Sequence, residues 1–136
     1  PAARGRIHTF VSTSPLHMRV KLRMEPEAVL DLVTSSVTLA RNHAADVEWS
    51  AEDGTRTEID FLCRCVEAAI KAGATTVNIP DTVGYAVPED MHRIFTTVRE
   101  RVPGAEKVIF STHNHNDLGL AVANTLAAIR AGVRQV

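Results

Sequence analysis

The chain has 136 residues, 45% apolar and 23% charged, with a net charge of −1 at pH 7. That balance excludes a disordered polar tract and a strongly basic nucleic-acid surface, and no run of about 18 apolar residues is present to span a membrane. Aromatic residues make up only 4%, which suits helix-covered parallel strands better than an aromatic-rich sandwich.

The opening PAARGRIHTF carries neither an initiator Met nor the apolar core of an export signal. The expectations are a trimmed N-terminus and a cytoplasmic location. Residues 5–12 have strand composition, and Ser14-Pro15 opens a loop through His17 and Met18. The basic stretch Arg19 to Arg23 is short enough for a helical turn or two. It lacks interleaved aromatics and reads as a solvated face or as contacts to an anionic substrate. Pro26 and Glu27 then sit where a helix begins. Val29, Leu32, Val33, Val37 and Ala40 repeat at helical spacing, and the helix is expected to reach about Ala44.

Residues 46–51 alternate as a strand. Thr57 with Asp60 resembles a capping box for the next helix, which Gly73 ends. Cys63 and Cys65 fall on this helix and point about 200° apart, so they read as free thiols in a reducing compartment. Residues 75–80 form the next strand, and Pro88 starts another helix that Pro103-Gly104 breaks. Residues 107–113 are a strand, HNHNDLG is a loop, and a last helix runs to about Ala131. Arg134 to Val136 resemble the start of one more strand. The order β-α-β-α-β-α-β-α-β implies a parallel sheet with right-handed crossovers in one α/β unit spanning 1–136. An open doubly wound sheet and part of a (β/α)8 barrel both fit, although the absence of GxGxxG or GxxxxGK[ST] weakens the first.

One face of several strands turns polar towards its C-terminal end, where parallel sheets bind ligands. Glu48 and Ser50 share a face opposite Val47 and Trp49. Asn78 lies opposite Val77 and Ile79, with Asp81 and Thr82 just beyond. His8 lies mid-strand in the first strand. His113 and His115 are two apart in extended chain, which places their Cα atoms roughly 6.6 Å apart on one side. Both imidazoles can then reach one ion. Asn114 points the other way. No nucleophile elbow is present.

At HNHNDLGLAVANTLAA the sequence resembles the 2-isopropylmalate synthases, a branch of the metal-dependent acyltransferase and lyase group built on a TIM barrel. RIHTFVSTSPLHM, EWSAEDGTRTEIDFLCR and AAIKAGATTVNIPDTVGY resemble further stretches of the same enzymes. Homocitrate and citramalate synthases share the His-x-His with Asn-Asp-Leu-Gly. The resemblance implies strands four to seven and the start of strand eight of a TIM barrel. It implies condensation of acetyl-CoA with 2-oxoisovalerate, giving 2-isopropylmalate and CoA on the route to leucine. It also implies a divalent ion (Mn, Mg or Zn) on His113 and His115, and a homodimer for the full-length enzyme. Thr82 would bind the oxo-acid carboxylate, and Ser50, His8 and Glu48 would line the substrate pocket. No motif marks the base that removes the acetyl proton.

The family barrel opens on a strand with an Asp ligand beside an Arg and a Glu, and no such segment occurs in these residues. The late Asn near the metal and the leucine-sensing domain are also absent. The chain is therefore expected to be a piece of a catalytic domain, inactive alone and with unpaired sheet edges. A different expectation is an independent, non-catalytic assembly module.

Overall fold

The computed structural model describes residues 4–136; Pro1–Ala3, where trimming was expected, lie outside it. Four strands, β1 (Arg6–Ser12), β2 (Asp46–Glu52), β3 (Thr76–Asp81) and β4 (Ile109–Asn114), form one sheet in the order β1-β2-β3-β4. Every neighbouring pair is parallel. A helical turn, α1 (Pro15–His17), leads into a π-helical turn over Met18–Leu22. Four longer helices follow: α2 (Pro26–Arg41), α3 (Ile59–Ala72), α4 (Pro88–Arg101) and α5 (Ala121–Arg130).

The strand order never reverses, and the two faces of the sheet differ. Val47, Trp49, Val77, Ile79 and Phe110 are buried beneath the helices, packed with Val33, Leu62, Val66, Met91, Phe95 and Val98. The opposite face carries no helix, and Phe10 there is 64% exposed. A doubly wound sheet would reverse its order and carry helices on both faces. Helices on one side of a parallel sheet wound in sequence order make an arc of a (β/α)8 barrel. The expected partial TIM barrel is what the chain forms.

Local chemistry explains the boundaries. Pro26 and Pro88 occupy the first turns of α2 and α4, with Glu27, Glu89 and Asp90 at the positive dipole ends. Gly73, at φ +108°, closes α3 by donating to Ile70 O while Ala74 donates to Ala69 O. Helix α2 stops at Arg41, earlier than its periodicity suggested, because His43 and Ala44 both turn back to Ala40 O. The basic stretch takes up the π-helical turn, ended by Arg23 in the left-handed region.

The capping box expected at Thr57 does not form. Glu58 is the N-cap of α3 and makes no side-chain cap. The Thr57 hydroxyl instead meets Asp53 O and the Thr13 hydroxyl, which hold it in the β2–α3 loop. A 3-10 turn over Ala105–Lys107 delays β4 to Ile109. Gln135 pairs in parallel with Ser111, so the expected further strand begins beside β4. Among the described residues the outer edge of β1 has no partner strand. Cys63 and Cys65 are free thiols on α3, and both are buried.

Candidate functional site

The strand register stacks the helix-free face in layers. His8, Glu48, Thr76 and Ile109 form one row, and Phe10, Ser50, Asn78 and Ser111 the next. Above them, Ser12 pairs with Glu52 and Pro80 with His113 at the C-terminal ends of the strands. A cleft of about 460 Å³ opens over these upper rows, lined by His8, Phe10, Ser50, Glu52, Asn78, Pro80, Thr82, His113 and His115. The alternation of β-structure puts every second residue here, so residues far apart in sequence converge.

His113 is the penultimate residue of β4 and His115 the first residue beyond it, with ring centroids 5.0 Å apart. Both side chains are exposed to the cleft. Among the described residues no group of three or more His, Cys, Asp or Glu is arranged around a common point for a metal. Two adjacent imidazoles are a partial donor set that suits a borderline divalent ion. Further ligands would come from outside these residues or from substrate oxygens.

The neighbouring strands supply hydrogen-bonding groups. Ser50 Oγ lies 2.7 Å from His8 Nε2 and accepts from Asn78 Nδ2 at 2.8 Å. Thr82 Oγ1 accepts from the Asp53 backbone N–H at 2.9 Å, which leaves its own proton available. Asp53 is fully buried at a φ of +63°, where Asn and Asp are the tolerated side chains. Arg56 and Ser14 donate to its carboxylate at 2.5–2.8 Å. Burial opposes its ionisation, but these donors prevail and hold the acid below the ordinary carboxylate range. The loop bearing Thr82 is thereby pinned from the β2 side.

Asp81 pins it from below. Its buried carboxylate accepts from Thr55 Oγ1, Tyr85 N and Ala86 N at 3.1–3.2 Å. Its carbonyl accepts from His115 N at 3.3 Å, which ties the two site loops together. Asn114 points away from the cleft and donates to Thr125 on α5, as its parity required.

Five of the six residues singled out from the sequence (His8, Ser50, Thr82, His113 and His115) share the cleft. Glu48 does not line it. It shares the row of His8 but is bonded to Arg6 at 2.9 Å and Gln135 at 3.0 Å, neither of which lines the cleft. Glu52 stands in the cleft instead. Its carboxylate meets Lys21 Nζ at 2.7 Å and Ser12 Oγ at 2.5 Å. Burial resists its charge, yet Lys21 and Ser12 keep its pKa lowered. A row-by-row application of the C-terminal-end rule would have preferred Glu52, which ends β2.

The HMGL-like family pattern matches residues 1–136. The chain belongs to the HMGL-like family. It is 73% identical over all 136 residues to 2-isopropylmalate synthase of Bradyrhizobium sp. (strain BTAi1 / ATCC BAA-1182), and 67% identical to that of Rhodopseudomonas palustris (strain TIE-1). It spans 26% of the length of each of these relatives. Among solved structures, hydroxymethylglutaryl-CoA lyase from Pseudomonas aeruginosa superposes with a TM-score of 0.77 at 20% identity, over 96% of this chain and 44% of that one. The HMG-CoA lyase from Brucella melitensis gives 0.78 at 18% identity, over 96% and 47%. These two likenesses establish the fold alone. No described helix of this HMGL-like chain is long and apolar enough to cross a membrane.

Proposed function

We propose that this chain forms the 2-oxo-acid half of a 2-isopropylmalate synthase active site. The observation that carries the reading is the convergence of His113, His115, Thr82, Ser50 and His8 on one cleft at the C-terminal ends of the strands. The 73% identity to a named 2-isopropylmalate synthase supports it. The reaction is an acyl transfer: acetyl-CoA, 2-oxoisovalerate and water give 2-isopropylmalate and CoA. A new bond joins the acetyl methyl carbon to the ketone carbon, and thioester hydrolysis frees the thiol.

His113 and His115 would hold a divalent ion (Mn, Mg or Zn), which when bound supplies Lewis-acid polarisation of the ketone. Thr82 donates its free hydroxyl proton to the substrate carboxylate. Glu52, kept anionic by Lys21 and Ser12, repels that carboxylate and so favours its placement beside Thr82. Ser50 and His8 supply polar contacts along the cleft floor. Phe10 and Pro80 offer apolar surface to the branched side chain. The free thiols of Cys63 and Cys65 fit a reducing, cytoplasmic setting.

The test is a chimaera. These 136 residues replace the matching segment of the Bradyrhizobium relative, and CoA release is followed with acetyl-CoA and a divalent ion. The expected result is turnover with 2-oxoisovalerate in preference to 2-oxoglutarate or pyruvate, lost in His113→Ala. Preference for 2-oxoglutarate or pyruvate would move the reading to a homocitrate or citramalate synthase. No turnover with any 2-oxo acid would overturn it. The chain by itself is expected to release no CoA, because His113 and His115 are only two ligands.

A further inference from the structure

Ser50 links two side chains from different strands, and the proton arithmetic of that link has one favoured solution. A hydroxyl offers one proton and accepts through two lone pairs. Asn78 Nδ2 donates to Ser50 Oγ at 2.8 Å, which uses one lone pair. Among the described residues the remaining polar atom within reach of Ser50 Oγ is His8 Nε2, at 2.7 Å. Among the described residues His8 Nε2 is the one acceptor that the hydroxyl proton reaches; were Nε2–H to donate instead, the Ser50 proton would have no protein partner, so the favoured arrangement has Ser50 donating to His8 Nε2. A neutral imidazole that accepts at Nε2 carries its proton on Nδ1.

The reversed network would turn the Asn78 amide over. Ser50 would donate to the amide oxygen, and His8 Nε2–H would donate to Ser50. Asn78 is 7% exposed, so that arrangement strands a buried NH2 group with two unmet donors. The arrangement in the structure leaves one amide oxygen, Asn78 Oδ1, without a partner. An unmet carbonyl is the commoner and less costly orphan.

We infer that Asn78 is a positioning residue: through Ser50 it fixes His8 as the Nδ1–H tautomer, so that His8 meets a bound oxo acid as a hydrogen-bond donor. His8 Nδ1 makes no hydrogen bond within the described residues, while the ring lines the cleft. The acceptor it suits is a ketone or carboxylate oxygen. The last step rests on the proposed 2-oxo-acid site; the tautomer does not.

The experiment is a long-range proton–nitrogen NMR spectrum of the 15N-labelled 136-residue chain, at a pH where the ring is neutral. Unrestrained histidine favours Nε2–H. The expected result is the opposite pattern for His8, with Nδ1 pyrrole-like and Nε2 pyridine-like. In Asn78→Asp a carboxylate takes the Ser50 proton, and the His8 pattern is expected to invert. A Nε2–H ring in the unsubstituted chain overturns the inference whatever the variant does. In the chimaera, Asn78→Asp is expected to raise KM for 2-oxoisovalerate about tenfold with a smaller change in kcat. An inactive unsubstituted chimaera would instead count against the 2-oxo-acid reading and leave the tautomer result standing.

Discussion

The backbone of Gly84 lies directly beneath the Asp117 carboxylate, at a φ of +61°, with no room for a β-carbon between them. Gly84 belongs to the Thr82 loop and Asp117 to the His115 loop. The two loops are also joined by His115 N–H to Asp81 O. Gly84→Ala would strain the left-handed backbone and push Asp117 away. The expected cost is about 1–3 kcal/mol of folding stability, read by urea denaturation, with shifted ring signals for His113 and His115. A variant as stable as the parent with unmoved His signals would show that the loops are not coupled at this contact.

Asp53 gives the pH dependence. Its folded pKa is lowered, burial notwithstanding, by Arg56 and Ser14. The stability this contributes is present above its unfolded value of about 3.9 and is lost as pH falls through the lower folded value. The substitution that isolates it is Asp53→Asn, since Asn tolerates the residue's left-handed backbone. Near neutral pH the variant should be less stable by about 1.5–3 kcal/mol, the range for hydrogen bonds to a charged group. Below about pH 4 the difference should shrink. Denaturation at several pH values checks this, and a difference independent of pH would place the effect elsewhere.

The elements and the sheet were legible because they are local. Pro26, Pro88 and Gly73 punctuate the helices by their own backbone restrictions, and the parity of Val47, Trp49, Glu48 and Ser50 fixes which face meets the helices. The barrel arc was half legible: the βα rhythm admits an open sheet, and the unreversed strand order decides against it. Thr57 misled because its hydroxyl bonds across the loop to Thr13, 44 residues earlier. Glu48 and Glu52 share a parity, so periodicity cannot rank them. Depth along β2 favours Glu52, and the strands in register then show Arg6 holding Glu48 and Lys21 holding Glu52.

Cys65 is fully buried on α3, and burial pushes its thiol up to about 12. Only a thiolate reacts quickly with disulfide reagents. Cys65 should therefore be labelled at neutral pH only as fast as the chain unfolds. Cys63, also raised by burial but with less effect, should react first. Mass spectrometry after timed labelling resolves the two. Prompt labelling of Cys65 in the native chain would contradict the packing of α3.

His113 and His115 place two imidazoles side by side near the C-terminal end of β4, the pair proposed to hold a divalent ion. Two imidazoles bind a divalent ion weakly compared with a full set of four, so the chain alone should take up Zn²⁺ with modest affinity. His113→Ala and His115→Ala should each weaken uptake at least tenfold, whereas His43→Ala and His92→Ala, away from the cleft, should leave it unchanged. Calorimetry of the four variants separates the pair from the rest. Equal binding by all four would mean that these imidazoles do not act together, and the proposed metal position would have to be abandoned.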